Sequence, residues 1–102
     1  MVTYPLGSPA RLTFSFTLED GLTPLDCDAV IVQHEDETGA FIPYTLVTGV
    51  VRDGPGVYHL DLLSLNAGPH GYKGYGYIAG ARVAATVDYA FKVSASKFPL
   101  PT

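Results

Sequence analysis

The most regular stretch of the chain is Arg11-Leu12-Thr13-Phe14-Ser15-Phe16-Thr17-Leu18, in which polar and apolar residues alternate strictly. Leu12, Phe14, Phe16 and Leu18 fall on one side, and Arg11, Thr13, Ser15 and Thr17 on the other. Successive side chains of a strand point to opposite faces, so a period of two predicts a strand with one buried and one wet face. Glu19-Asp20-Gly21 ends it, and Pro24 blocks its continuation. A second strand is expected from Asp28 to His34, with Val30 and Val32 toward the core and the Ala29/Ile31 register as the alternative. The polar tip Glu35 to Gly39 leads into a third strand, Ala40 to Val47, carrying Phe41, Tyr44 and Leu46. Pro43 has no N–H for a ladder, which places this strand at an edge or gives it a bulge.

A short strand follows at Gly49 to Arg52, then the turn Asp53-Gly54-Pro55-Gly56. Val57 to Leu63 alternates again, with Tyr58, Leu60 and Leu62 inward and His59 and Asp61 outward. Ser64 to Pro69 reads as a corner and His70 to Ile78 as a Gly/Tyr strand. A last strand, about Val83 to Val93, sets Val87, Tyr89, Phe91 and Val93 on one face. About seven short antiparallel strands, separated by turns roughly every 8–12 residues, are the pattern of an all-β sandwich or barrel. No segment keeps an apolar period of 3.6 residues, so little or no helix is expected, at most one turn between Leu62 and Ala67. The expected organisation is an extended N-terminal arm over 1–9, a sandwich over 10–93 and an extended C-terminal tail over 94–102. Pro5, Pro9, Pro99 and Pro101 set the two ends apart.

With 102 residues the chain has room for one domain with a core of its own. Apolar residues make up 47% and charged residues 16%, which excludes a disordered chain or a coiled coil. The formal charge of −4 and six scattered basic residues argue against a nucleic-acid partner, which requires clustered Lys and Arg. The lone Cys27 cannot close an intramolecular disulfide. The first residues hold no basic and apolar signal regions, so synthesis in a cytoplasm without a secretory leader is expected. No apolar run is long enough for a helical membrane span.

The chemistry-bearing residues form no recognisable constellation. His34, His59 and His70 lie on different strands without zinc spacing, and are expected to be outward or edge residues. The carboxylates Glu19-Asp20, Asp26 and Asp28, and Glu35-Asp36-Glu37 sit at turns, where they keep edges soluble; they lack the ordering of a calcium loop. Cys27 lies between Asp26 and Asp28, which disfavour a thiolate, so a small buried side chain is expected rather than a nucleophile. Gly71-Tyr72-Lys73-Gly74-Tyr75-Gly76-Tyr77 is no phosphate loop, because neither Ser/Thr nor a helix signal follows Lys73. Its parity puts Tyr75 and Tyr77 on one face with Lys73, and Tyr72 on the other. One set is expected to fill the core, and the other to cover glycines or form an aromatic platform for a partner or a sugar. No catalytic, cofactor or metal residue is expected.

Several stretches together carry a likeness. They are the alternating Leu12 to Phe16, the acidic Gly/Pro turn from Asp20 to Pro24, and Val30 to Gly39. Gly56-Val57-Tyr58-His59-Leu60-Asp61-Leu62, Ala67-Gly68 before an aromatic strand, and Tyr89-Ala90-Phe91-Lys92-Val93 complete it. Over Pro9 to Val93 the chain resembles small immunoglobulin-like proteins of tailed bacteriophages, encoded among virion structural genes, and bacterial immunoglobulin-like modules more generally. The resemblance implies an Ig-like β-sandwich without the Cys pair and core Trp of antibody domains. It implies a non-enzymatic role in the virion, as capsid decoration or a head or tail accessory. The expected partners are other virion proteins, with a homo-oligomer or a glycan as further partners. Outside the strand pattern, Tyr4, Pro5, Leu6, Phe98 and Leu100 are apolar, and proline lowers the entropy an extended segment loses on docking. With Tyr72, Tyr75 and Tyr77 they are the expected partner-binding residues, either folded over their own sheet or docked on another subunit.

Overall fold

The computed structural model describes residues 2–18, 20–63 and 65–97. Among them are nine strands and no helix: β1 (Val2–Pro5), β2 (Ala10–Ser15), β3 (Ala29–Glu35), β4 (Phe41–Thr45), β5 (Val50–Gly54), β6 (Val57–Leu62), β7 (Gly68–Ile78), β8 (Ala81–Ala85) and β9 (Tyr89–Ser94). They form two sheets. The larger has the order β1-β9-β7-β3-β4, with β8 also paired to β7; the smaller has the order β2-β6-β5. The expected all-β sandwich is the observed architecture, with two strands more than the alternation suggested.

Both additions have physical causes. The segment 1–9, expected as an arm outside the sandwich, contributes β1, which pairs in parallel with β9 from Val2↔Phe91 to Pro5↔Ser94. The sandwich is therefore not purely antiparallel. The expected last strand is two strands, because residues 86–88 leave the ladder. There Thr86 bridges to β7 twice: its N–H donates to the Gly74 carbonyl at 2.9 Å, and its hydroxyl accepts from the Gly74 N–H at 3.0 Å. Val87, expected inward, lies in this break and is exposed. Leu18, also expected inward, is exposed because β2 ends at Ser15. Phe16 stays buried through backbone bonds with Gly56 and Leu25. β4 is an edge strand, the first of the two alternatives that Pro43 left open.

The core lies between the sheets. Leu12, Phe14, Tyr58 and Leu60 of the smaller sheet meet Val30, Val32, Phe91 and Val93 of the larger. Phe14 stacks on Tyr58 with ring centroids 5.6 Å apart. Burying each such ring contributes roughly 1.5–3 kcal/mol. The Gly/Tyr pattern of β7 is the complement of these rings. Gly74 and Gly76 occupy inward positions, and a Cβ there would stand 3.0 Å from the Phe14 ring and 2.5 Å from Cys27 Sγ, respectively. The bare backbone of β7 is what lets Phe14, Phe16 and Cys27 close against the larger sheet.

Candidate functional site: an outer face and a buried histidine pair

Strand parity turns Lys73, Tyr75 and Tyr77 to the outer face of the larger sheet, opposite Gly74 and Gly76. Lys73 Nζ lies 3.2 Å from Asp88 and 5.6 Å from the centre of the Tyr75 ring, and the Arg82 guanidinium lies 6.0 Å from the same ring. Cations near an aromatic face are held by the ring quadrupole. A groove of about 340 Å³ runs beside Tyr75 between Glu35, Gln33, Phe41 and Asp88. Gly71 lines it, with Tyr89 O and the Glu35 carboxylate 3.2 and 3.6 Å from where a Cβ would sit. Phe41, on edge strand β4, is 65% exposed. An exposed ring beside fixed charges is the kind of surface that protein interfaces are built on.

The other expected partner-binding residues are placed differently. Tyr4 packs edge-on against Phe91 at 5.6 Å, and its hydroxyl donates to the Arg11 carbonyl at 3.2 Å. Leu6 packs against the core, and Pro5 is exposed on the sheet edge. Tyr72 points between the sheets, stacks on Tyr89 at 4.8 Å and donates to the Thr13 carbonyl at 3.2 Å. Burial, with Tyr89 and Tyr4 nearby, pushes its phenol up to about 12. Tyr77 is half-buried. Phe98 and Leu100 lie outside the described residues.

The histidines require a correction. Expected as outward or edge residues, His34 and His70 are 2% and 4% exposed and point into the sandwich. His34 shares parity with Val30 and Val32, as His70 does with Tyr72, and the fold turns both of these faces inward. His59 does lie on the outer face, yet it is covered by its neighbours: Asp53 is 2.7 Å from Nδ1, and Asp61 is 3.8 Å from Nε2. Asp61 is held in turn by Arg11 at 2.8 and 2.9 Å.

His34 and His70 form a directed chain. His70 Nε2 lies 2.8 Å from the Asn66 carbonyl, which can only accept, so Nε2 carries a proton. In the neutral ring Nδ1 is then an acceptor, and His34 Nε2 donates to it at 3.1 Å. His34 Nδ1 is left as a bare acceptor, and it is buried without a hydrogen-bond partner. Burial, reinforced by His70, holds the His34 imidazole below its usual value of 6.5, against the pull of Asp36 and Glu37.

A second network fixes the loop before β3. Asp26 accepts from Arg52 at 2.9 and 2.8 Å and from the Tyr58 hydroxyl at 3.1 Å. These partners, Arg52 first, hold its carboxyl down at about 2. The Tyr58 oxygen also accepts from the Cys27 N–H at 3.1 Å. Cys27 itself is buried, and desolvation with Asp26 and Asp28 pushes its thiol up. Among the described residues no group of three His, Cys, Asp or Glu side chains is arranged to hold a metal ion. Comparison with family models, curated proteins and solved structures finds no match.

Proposed function

We propose that the chain is a non-enzymatic Ig-like module that docks on a virion assembly, as capsid decoration or an accessory of the head or tail. The observation that carries the docking role is the outer face: a ring 65% exposed at Phe41 beside Tyr75, itself flanked by Lys73 and Arg82. The strand order supports the Ig-like reading. A three-strand sheet β2-β6-β5 faces β9-β7-β3-β4, and the first strand joins the last. His70 bonding back to the Asn66 carbonyl sits at the β6–β7 corner, where antibody-type domains use a tyrosine. The virion setting rests on the sequence resemblance. On a symmetric shell many copies would add weak contacts into firm attachment.

The test is attachment to particles assembled from the genome that encodes the chain. Antibody against the purified chain should label those particles, and a chain carrying Phe41→Ser and Tyr75→Ala should fail to occupy them. Particles that carry no copy of the chain would remove the virion reading. The groove beside Gly71, with aromatic and amide walls, favours a sugar as the second reading. A glycan array answered by the native chain and silent for Tyr75→Ala would put that reading first.

A further inference from the structure

On the outer face of the larger sheet, Glu35 of β3 lies between its cross-strand partners, Phe41 of β4 and Gly71 of β7. All three line the groove of about 340 Å³. Gly71 is its floor. A Cβ there would stand 3.6 Å from a Glu35 carboxylate oxygen and 3.2 Å from the Tyr89 carbonyl, so a side chain would fill the space beside the carboxylate. The charges of the groove are unequally satisfied. Lys73 is paired with Asp88 at 3.2 Å, whereas no hydrogen bond or ion pair joins the Glu35 side chain to another described residue. The rings differ in the same way. Tyr75 has Lys73 and Arg82 at 5.6 and 6.0 Å from its centre, while Phe41, 65% exposed, has no ring or cation against it among the described residues.

We propose that this groove receives an arginine side chain presented by the partner protein. The proposal rests on the docking role of the outer face and names the group that the partner supplies there. Opposed residues of an antiparallel pair hold their Cβ atoms about 4.5–5.5 Å apart, so a guanidinium lying on the Phe41 ring is within reach of the Glu35 carboxylate. Its plane stacks on the ring, and two of its N–H groups donate to the two carboxylate oxygens. The aliphatic stem crosses the bare backbone at Gly71. Lysine answers the carboxylate alone, because an ammonium has neither the plane nor the fork. A neutral sugar stacks on a ring and donates to a carboxylate, but it leaves the charge of Glu35 without a counterion. Charge complementarity points the same way, since the groove holds two carboxylates against one ammonium and the chain carries −4.

The probe is Nα-acetyl-arginine methylamide, titrated into the isotopically labelled full chain and followed by NMR. Saturable shifts are expected at the amides of Glu35, Phe41 and Gly71. The citrulline analogue keeps the length and the plane without the charge, and should bind about threefold more weakly; the lysine analogue should also fall below arginine. Glu35→Gln should weaken arginine binding about threefold, and Phe41→Ser by about two- to fivefold. Both positions are exposed, so both variants should keep the fold. Four results would overturn the proposal: no saturable shift at these amides, citrulline bound as tightly as arginine, lysine bound more tightly, or a methyl glucoside or galactoside that moves the same amides at lower concentration than arginine does.

Particles separate this contact from the virion reading. Equal uptake of the native and Glu35→Gln chains by the particles would overturn the arginine contact and leave the docking role standing. Arginine binding of the expected pattern by a chain that no particle carries would support the site and remove only its virion setting.

Discussion

His34 on β3 and His70 on β7 are joined by a hydrogen bond of 3.1 Å inside the sandwich, with ring centroids 5.2 Å apart and Phe91 stacked beside them. This places two imidazoles in a core built otherwise of aliphatic and aromatic side chains and the Cys27 thiol. The folded chain holds His34 below 6.5, so the unfolded chain takes up its proton first on acidification. The stability that depends on a neutral His34 is complete above 6.5 and is lost as pH falls from there toward the lower folded value. Urea midpoints should fall between about pH 7 and 5, and His34→Gln, which can still donate to His70 without titrating, should flatten that slope. An unchanged slope in the variant would show that other groups govern it.

Asp26 acts at a lower pH. Its carboxyl lies at about 2 in the fold against 3.8 when free, so its contribution is present above 3.8 and disappears as pH falls toward 2. Asp26→Asn should remove this part of the acid transition and leave the neutral side less affected. Tyr58→Phe takes away the acceptor of the Cys27 N–H and should cost about 1–3 kcal/mol by denaturant melting.

Gly76 and Cys27 are coupled by space. Gly76→Ala brings a Cβ within 2.5 Å of Cys27 Sγ and should destabilise the domain by about 1–3 kcal/mol. In a Cys27→Ala background the same change should cost less, with a coupling above about 0.5 kcal/mol in the double-mutant cycle. Additivity would mean that the backbone shifts instead of the thiol.

Tyr4 and Phe41 separate architecture from surface. Tyr4→Ala removes the edge contact to Phe91 and the bond to Arg11, and should lower stability by about 1–3 kcal/mol. Phe41→Ser, at a position 65% exposed, should stay within about 0.5 kcal/mol of the native chain. Equal losses at the two positions would mean that Phe41 supports the sheet and is not a free contact residue.

Alternation along the chain located the strands that pack against both a core and solvent. In β2, Leu12 and Phe14 face in and Arg11 and Thr13 face out. The missing N–H at Pro43 left β4 an edge position or a bulge, of which the fold takes the edge, and the division of the Gly/Tyr strand into two faces followed from parity. That Lys73 and Tyr75 share a face was legible for the same reason, whereas that this face is the outer one was not. The His34–His70 bond was not legible, because the two rings come from separate strands and lie 36 residues apart in the chain.

By itself, then, the sequence determined which residues share a face, since that depends only on the two-residue repeat of a strand. Tertiary structure decided which face was covered and by what. The pairing of Val2–Pro5 with Tyr89–Ser94 bridges nearly the whole chain and leaves no local period. Buried His34 and His70 are joined through Nε2 of the one and Nδ1 of the other, a bond that forms only once β3 and β7 lie side by side.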